Sequence, residues 1–123
     1  MSDRAEINRQ LEESANVKQE MITSCAETIE SASELLKKSL KNGNKVLWAG
    51  NGGSAGQAQH LSTELIGGLR DHTWKGVPSI SLTVDSSFIT AWANDVGFKS
   101  VFAQQVGALG TEGDVFIALS TSG

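Results

Sequence analysis

Residues 45–64, KVLWAGNGGSAGQAQHLSTE, decide the fold of this chain. Val46–Ala49 form a short apolar run without alternation, which is typical of a strand buried on both faces of a parallel sheet. A glycine turn follows at residues 50–53, and then a polar segment that suits a helix beginning at Gly53 or Ser54. A strand, a glycine turn and a helix in this order expose backbone N–H groups at a helix N-terminus. A phosphate can bind there without a lysine.

Two side chains further along the predicted helix, an imidazole and a carboxylate, are candidates for a functional site. His60 and Glu64 are four residues apart, so on a helix they lie on one face, about one turn from each other. Taken alone, such a pair is more often a surface hydrogen bond than a site. The glycine turn is neither a GxGxxG fingerprint nor a P-loop, because no Gly-Lys-Ser/Thr follows it. Dinucleotide or nucleoside-triphosphate binding is therefore not expected.

Composition excludes several classes of protein. The 123 residues suffice for one domain, and a net charge of −4 without a basic run argues against a nucleic-acid surface. No window approaches 18 consecutive apolar residues and the N-terminus is charged, so neither a membrane span nor a signal peptide is expected. The single cysteine, Cys25, excludes an internal disulfide, and its helical setting favours a buried small hydrophobe. These features predict a cytoplasmic protein.

The spacing of apolar residues predicts two N-terminal helices, over about 4–21 and 22–41, either separate or continuous, closed by a glycine C-cap at residues 41–44. The first helix has few large apolar residues, which favours a partner subunit as its cover over a simple solvated flap. From residue 46 the predicted strands and helices alternate. The expected elements are a strand over 46–49, a helix to about 66, a strand over 78–83, a helix through 93 after N-cap candidates at 85–87, a turn at 94–97, a helix over 98–109, a turn at 111–114 and a strand over 115–119.

This alternation predicts an α/β fold, a three-layer αβα doubly wound parallel sheet. We divide the chain into an N-terminal helical segment for oligomerisation, 1–43, and an α/β segment, 44–123. Three parallel strands would leave unpaired edges and an incompletely covered sheet. The last four residues, Ser-Thr-Ser-Gly, come where a loop should lead into another helix. We therefore expect the native protein to continue past Gly123.

Three stretches together resemble the SIS (sugar isomerase) domain family. They are GNGGSAGQAQHLSTEL at 50–65, TVDSSFITAWANDVGF at 83–98 and EGDVFIALSTSG at 112–123. Within the family they are most similar to the phosphoheptose isomerases, which interconvert sedoheptulose 7-phosphate and D-glycero-D-manno-heptose 7-phosphate through an enediol. The match covers the chain from Asn44 onward and, more loosely, the N-terminal helices. Three motifs in the right order are far more specific than one glycine-rich loop.

The resemblance implies a role for each residue that matches a family motif. Glu64 becomes the candidate catalytic base and a contact to substrate, and His60 and Glu64 match two of four zinc ligands. A metal-bound carboxylate is a weaker base, so Glu64 is not expected to fill both roles at once. The other two ligands, a glutamine and a histidine, lie in the C-terminal part of the family. The remaining substrate-binding residues implied are Asn51, Gly52 and Gly53 in the first loop, Asn94 and Asp95 at the sugar hydroxyls, and Ser120, Thr121 and Ser122 at the phosphate.

The family pattern also implies a homotetramer built around the N-terminal helices, with active sites at subunit interfaces. One departure stands out, because the family commonly has Gly-Arg soon after the glutamate, whereas this chain has Gly67-Gly68 followed by Leu69 and Arg70. The departure leaves the preferred sugar open. We interpret His72 as solvated in a charged loop, and the interior tryptophans as core residues.

Two other functions stay open. One is a non-catalytic SIS protein that binds a partner such as the bacterial replication initiator, and the other is a sugar-phosphate-sensing regulatory module. The acidic residue at Glu64 favours the enzyme over the first. The anomer produced and the pathway served, whether lipopolysaccharide core, capsule or another heptose conjugate, are also open. If the chain ends at Gly123, we expect weak zinc binding or none, and no isomerase activity.

Overall fold

The computed structural model describes residues 2–123, which form two compact units, 2–35 and 36–123. Helix α2 spans the division, because Leu36 and Leu40 in its second half pack against the core of the second unit. The predicted boundary at 43/44 follows the end of this helix. The assignment of oligomerisation to residues 1–43 stays a prediction.

The N-terminal unit is helical. Helix α1 is Asp3–Ser24 and α2 is Ala26–Lys41. The break lies at Cys25 and not at 21/22 as predicted, and the helical hydrogen bonds nearly continue across it: Cys25 N–H donates to the carbonyl of Met21 at 2.9 Å. Cys25 is half-buried. No residue of α1 is buried within the unit, because too few of its side chains are large and apolar to form a core.

Three parallel strands form the sheet of the second unit. They are β1 (Val46–Gly50), β2 (Ser79–Ser81) and β3 (Val115–Leu119), in the spatial order β2-β1-β3. The first crossover moves one way along the sheet and the second returns past β1. With right-handed crossovers, this reversal places the connecting helices on opposite faces. The predicted doubly wound parallel α/β fold is confirmed.

Four helical elements connect the strands. They are α3 (Gly53–Gly67), α4 (Ser86–Asp95), a 3-10 turn (Phe98–Ser100) and α5 (Val101–Leu109). Asp85 caps α4 as predicted, since its carboxylate accepts the N–H of Phe88 at 2.9 Å. Three boundaries were wrong. Residues 94 and 95 end α4 and do not form a turn, the predicted helix over 98–109 begins as a 3-10 turn, and β2 ends at Ser81 and not at residue 83.

The core is centred on β1, whose five residues are all buried. Val46 and Trp48 pack against Ala58 of α3 on one face of the sheet. Because side chains alternate along a strand, Leu47 points to the other face, and it is 1% exposed. Cover on both faces explains the unalternating apolar run at 46–49. Among residues 2–123, no helix combines the length and the apolar character that crossing a membrane requires.

Candidate functional site

The carboxyl ends of β1 and β3 bring two predicted substrate loops to one edge of the sheet. The register pairs Gly50 with Leu119. The next residues along the two strands, Asn51 and Ser120, therefore begin neighbouring loops. Ligands of open α/β sheets bind at this edge, where strand order reverses around β1.

The first loop requires glycine. Gly52 has φ 55° and ψ −121°, a conformation that residues with a Cβ rarely adopt. It is the N-cap of α3, and no side chain caps this helix end. The carbonyl of Asn51 accepts the N–H of Ser54 at 3.0 Å, which closes the turn into the helix. Asn51, Gly52 and Gly53 are all exposed, so the backbone N–H groups at this end face a position that a ligand can reach.

The second loop follows β3 and carries the three hydroxyl residues Ser120, Thr121 and Ser122, all of them exposed. The Ser120 hydroxyl accepts the N–H of Gly123 at 2.9 Å, which bends the chain back toward the end of the strand. Hydroxyl groups that cluster at a strand end beside a helix N-terminus are suited to hydrogen bonds with phosphate oxygens.

His60 and Glu64 lie on one face of α3, as the spacing predicts. His60 Nε2 and Glu64 Oε1 are 3.6 Å apart, which is too long for a strong hydrogen bond. The His60 side chain is 72% exposed and the Glu64 side chain only 28%, so the carboxylate is the more enclosed of the two. A cleft of about 540 Å³ runs along this face from Gly53 past His60 to Leu119. The cleft thus joins the glycine turn, the imidazole and the end of β3.

The donor atoms fit half of a zinc site. Two ligands on one tetrahedral zinc, each at about 2.1 Å, are about 3.4 Å from each other, close to the His60–Glu64 separation. Within residues 2–123, however, no group of three or more His, Cys, Asp or Glu side chains could hold a metal ion. Two ligands are fewer than zinc sites use, so the described residues do not form a complete site.

Asn94 and Asp95 end α4, and their hydrogen bond joins them to each other, from Asn94 Nδ2 to Asp95 Oδ1 at 2.8 Å. Both are exposed. Helix α4 packs on the 3-10 turn and α5. The glycine loop, the serine loop and the His60 face of α3 therefore lie together at the candidate site. The packing contacts of α4 do not place Asn94 and Asp95 in that site.

Sequence reasoning missed two features of this edge. Gln57 and Leu61 line the cleft with His60, and spacings of three and four residues along the helix could have identified them. Thr83 was predicted inside a strand, but it lies in the loop after β2, where its hydroxyl accepts a hydrogen bond from Gln59 Nε2 at 3.0 Å. This bond ties the residue before His60 to the neighbouring loop. The early end of β2 gave no local signal.

The loop after α3 explains the departure at Gly68. Gly68 has φ 85°, and a Cβ there would collide with the Trp74 indole and the carbonyl of Asp71. An arginine is therefore excluded from this position as the loop stands. His72 is exposed, but it is not merely solvated, because its Nδ1 lies 2.6 Å from the carbonyl oxygen of Gly67. Of the tryptophans, Trp48 is core, whereas Trp74 is 48% exposed.

Comparisons with known proteins agree with this geometry. The SIS domain family model matches residues 10–123. Phosphoheptose isomerase of Aliarcobacter butzleri is 48% identical over 103 residues, which are 84% of this chain and 54% of the relative. Phosphoheptose isomerase of Geotalea uraniireducens is 42% identical over 118 residues, or 96% of this chain and 62% of the relative.

Two solved structures have the same fold. A phosphoheptose isomerase from Francisella tularensis superposes with a TM-score of 0.93 at 36% identity, covering 98% of this chain and 63% of that one. The phosphoheptose isomerase from Neisseria gonorrhoeae has a TM-score of 0.88 at 38% identity, with 98% and 61% covered. The chain thus spans a little over half the length of the curated relatives it matches.

Proposed function

The chain belongs to the SIS domain family, and on that premise we propose that it acts as a phosphoheptose isomerase on sedoheptulose 7-phosphate. One observation carries the proposal: the exposed glycine turn and the Ser120–Ser122 loop meet at one sheet edge, beside the helix that carries Glu64. An anion site and a carboxylate on adjacent elements are what isomerisation of a sugar phosphate requires.

In this proposal the phosphate binds between the N–H groups of the α3 N-terminus and the hydroxyls of Ser120, Thr121 and Ser122. Anchoring this remote group orients the carbonyl end of the sugar. Asn51 would contact substrate from the first loop, and Asn94 and Asp95 would contact sugar hydroxyls. The closed turn at Gly52 and Gly53 keeps the donors fixed without a side chain in the way.

Glu64 is the proposed base. Its carboxylate would remove a proton from C1 of the open-chain ketose, forming an enediolate, and return a proton to C2. A second proton moves from the C1 hydroxyl to the C2 oxygen, so C1 becomes the aldehyde and C2 the alcohol. A positioned carboxylate of this kind can act as a general base.

We also propose that His60 supplies one ligand to zinc, and Glu64 a second while it is not acting as the base; the zinc would serve as an electrophile toward the developing oxyanion. Further ligands would have to come from outside the described residues. Purified full-length protein should retain stoichiometric zinc after dialysis, and His60→Ala should lose it. Full zinc occupancy in His60→Ala would remove this residue from the ligand set.

A homotetramer is proposed for the assembly. The support is the N-terminal unit, whose α1 exposes apolar side chains that no part of that unit covers; they include Ile7, Leu11, Val17 and Ile22, which are 53–65% exposed. Light scattering after gel filtration should give four times the chain mass, and a monomer at micromolar concentration would contradict the assembly. Cytoplasmic location and service to a heptose conjugate such as lipopolysaccharide follow from the proposed activity.

The experiment is turnover of sedoheptulose 7-phosphate by purified full-length protein in D₂O, followed by NMR. We expect the aldose product to form with deuterium at C2, because a base that exchanges with solvent delivers the proton. Product without deuterium at C2 would contradict the enediol mechanism and favour a hydride shift. A folded, zinc-supplied protein without turnover would favour the partner-binding or sugar-phosphate-sensing function.

A further inference from the structure

The loop of residues 68–77 is tied back onto the last turn of α3, the turn that carries Glu64. Gly68 N–H and Leu69 N–H both donate to the carbonyl of Glu64, at 3.0 and 3.1 Å. The far end of the loop returns to the same turn, since Val77 N–H donates to the carbonyl of Leu65 at 3.0 Å. The backbone of Glu64 and of its neighbour is thus fixed from both ends of the loop.

Two side chains complete the attachment. His72 Nδ1 lies 2.6 Å from the carbonyl oxygen of Gly67, and since a carbonyl only accepts, Nδ1 carries the proton. Trp74 Nε1–H donates to the carbonyl of Gly68 at 2.9 Å. Carbonyls at a helix C-terminus have no partner within the helix. Here ring N–H groups from one short loop supply partners to two consecutive carbonyls.

The backbone of this loop is strained where it leaves the helix. Leu69 has φ 53°, and it is the only residue other than glycine with a positive φ among residues 2–123. It follows Gly68, which is also left-handed. Strain of this kind persists only where the surroundings over-determine the conformation, and it concentrates at functional sites. The Trp74 ring, packed against Gly68, supplies much of that constraint.

We propose that His72 and Trp74 are positioning residues for Glu64, an inference that rests on the proposed function. They touch no reacting atom. By holding the carbonyls of Gly67 and Gly68 they fix the last turn of α3, and with it the direction of the Glu64 Cα–Cβ bond. A base displaced by about 1 Å can lose about 100-fold in rate, so a modest loosening of this turn is enough to slow turnover.

The test compares matched variants of the full-length protein at a temperature where all are folded by circular dichroism. Trp74→Phe and His72→Ala each remove one ring N–H donor. His72→Asn keeps a donor, because its amide nitrogen replaces Nδ1. Thr73→Val is the control, since the Thr73 hydroxyl donates to the Asp71 carboxylate within the loop and not to a carbonyl of α3. The readouts are kcat, KM and hydrogen exchange of the Gly68 and Leu69 amides.

We expect kcat to fall about 10-fold in Trp74→Phe and His72→Ala with KM changed less than about twofold, because the phosphate anchors are untouched. Exchange at the Gly68 and Leu69 amides should accelerate in the same two variants. His72→Asn should keep the wild-type kcat and the wild-type exchange rates, and so should Thr73→Val. Faster exchange with unchanged kcat would show a purely structural loop, and an equal loss in Thr73→Val would show general loosening; either overturns the inference. A wild type without turnover defeats the proposed function itself, and this inference with it.

Discussion

The two edges of the sheet differ in how their polar groups are used. At the amino edge, just before β1 and β3 begin, Asp114 binds Lys45 twice: its Oδ2 lies 2.6 Å from Lys45 Nζ and its Oδ1 accepts Lys45 N–H at 2.9 Å. Asp114 Oδ2 also accepts the N–H of Thr111 at 2.7 Å. The Asp114 side chain is only 6% exposed. At this edge the charged groups satisfy one another.

At the carboxyl edge, six residues further along the same two segments, the polar groups lie open. The residues of the glycine turn and of the Ser120–Ser122 loop are exposed, and the α3 N-terminus has no side-chain cap. One pair of strands therefore carries a closed polar cluster that stabilises the fold at one end and an open one that suits a ligand at the other. Variants at the amino edge should therefore change stability, and variants at the carboxyl edge should change activity.

The largest effect is expected for Glu64→Gln, which keeps the size of the side chain and removes the base. Turnover of sedoheptulose 7-phosphate should fall about 10²–10⁴-fold, with the melting temperature unchanged. Glu112→Gln, an exposed carboxylate in the loop before β3, is the control and should retain wild-type turnover. Activity kept in Glu64→Gln would remove this residue from the mechanism.

The next largest effect is expected for Gly52→Ala. The position is open, so the added Cβ meets nothing within 4 Å, and the cost comes from the backbone conformation alone. We expect the free energy of unfolding to fall by about 1–3 kcal/mol and KM for the phosphorylated sugar to rise at least about 10-fold as the turn remodels. Gly107→Ala in α5, also in open space, should instead stabilise the fold by about 0.5–1 kcal/mol. An unchanged KM in Gly52→Ala would show that this turn does not bind the phosphate.

Asp114→Asn tests the amino edge. The Lys45 ammonium and N–H groups hold the pKa of the Asp114 carboxyl well below its ordinary value. A carboxyl with a depressed pKa stabilises the folded state fully above its unfolded pKa, about 3.9, and loses that contribution as the pH falls toward the folded pKa. Asp114→Asn should therefore unfold at lower urea than wild type at pH 7, and the gap should shrink below about pH 4. Turnover should be unaffected; a pH-independent gap would assign the stability to hydrogen bonding alone.

The smallest effect is expected for Ser62→Ala, between the two edges. Trp48 Nε1–H donates to the Ser79 hydroxyl at 2.8 Å, and that hydroxyl donates to Ser62 Oγ at 2.9 Å, all of it buried. Losing the last acceptor should cost about 0.5–1.5 kcal/mol in urea denaturation, without a change in kcat. A fall in kcat would extend the functional region from the carboxyl edge into the core.

Local sequence was sufficient for the order of the elements and for the helix face shared by two candidate site residues. The apolar run at 46–49, the glycine stop after α3 and the cap at Asp85 each depend on neighbours a few residues away, and each was predicted. The same holds for His60 and Glu64, whose common face follows from helical spacing. Residues 94 and 95 were misplaced because Asn, Asp and Gly favour turns, while packing of α4 on α5 kept them helical.

The α/β order, the buried central strand and the glycine turn follow from local sequence, because periodicity and backbone preference act within one element. Contacts between distant groups become visible in the folded chain alone: Lys45 with Asp114, Trp48 with Ser62 through Ser79, and the loop of His72 and Trp74 with the turn of Glu64. These contacts depend on strand register and on how a loop packs back onto a helix. Local spacing does not encode strand register or loop packing, because both depend on residues that are far apart in the sequence.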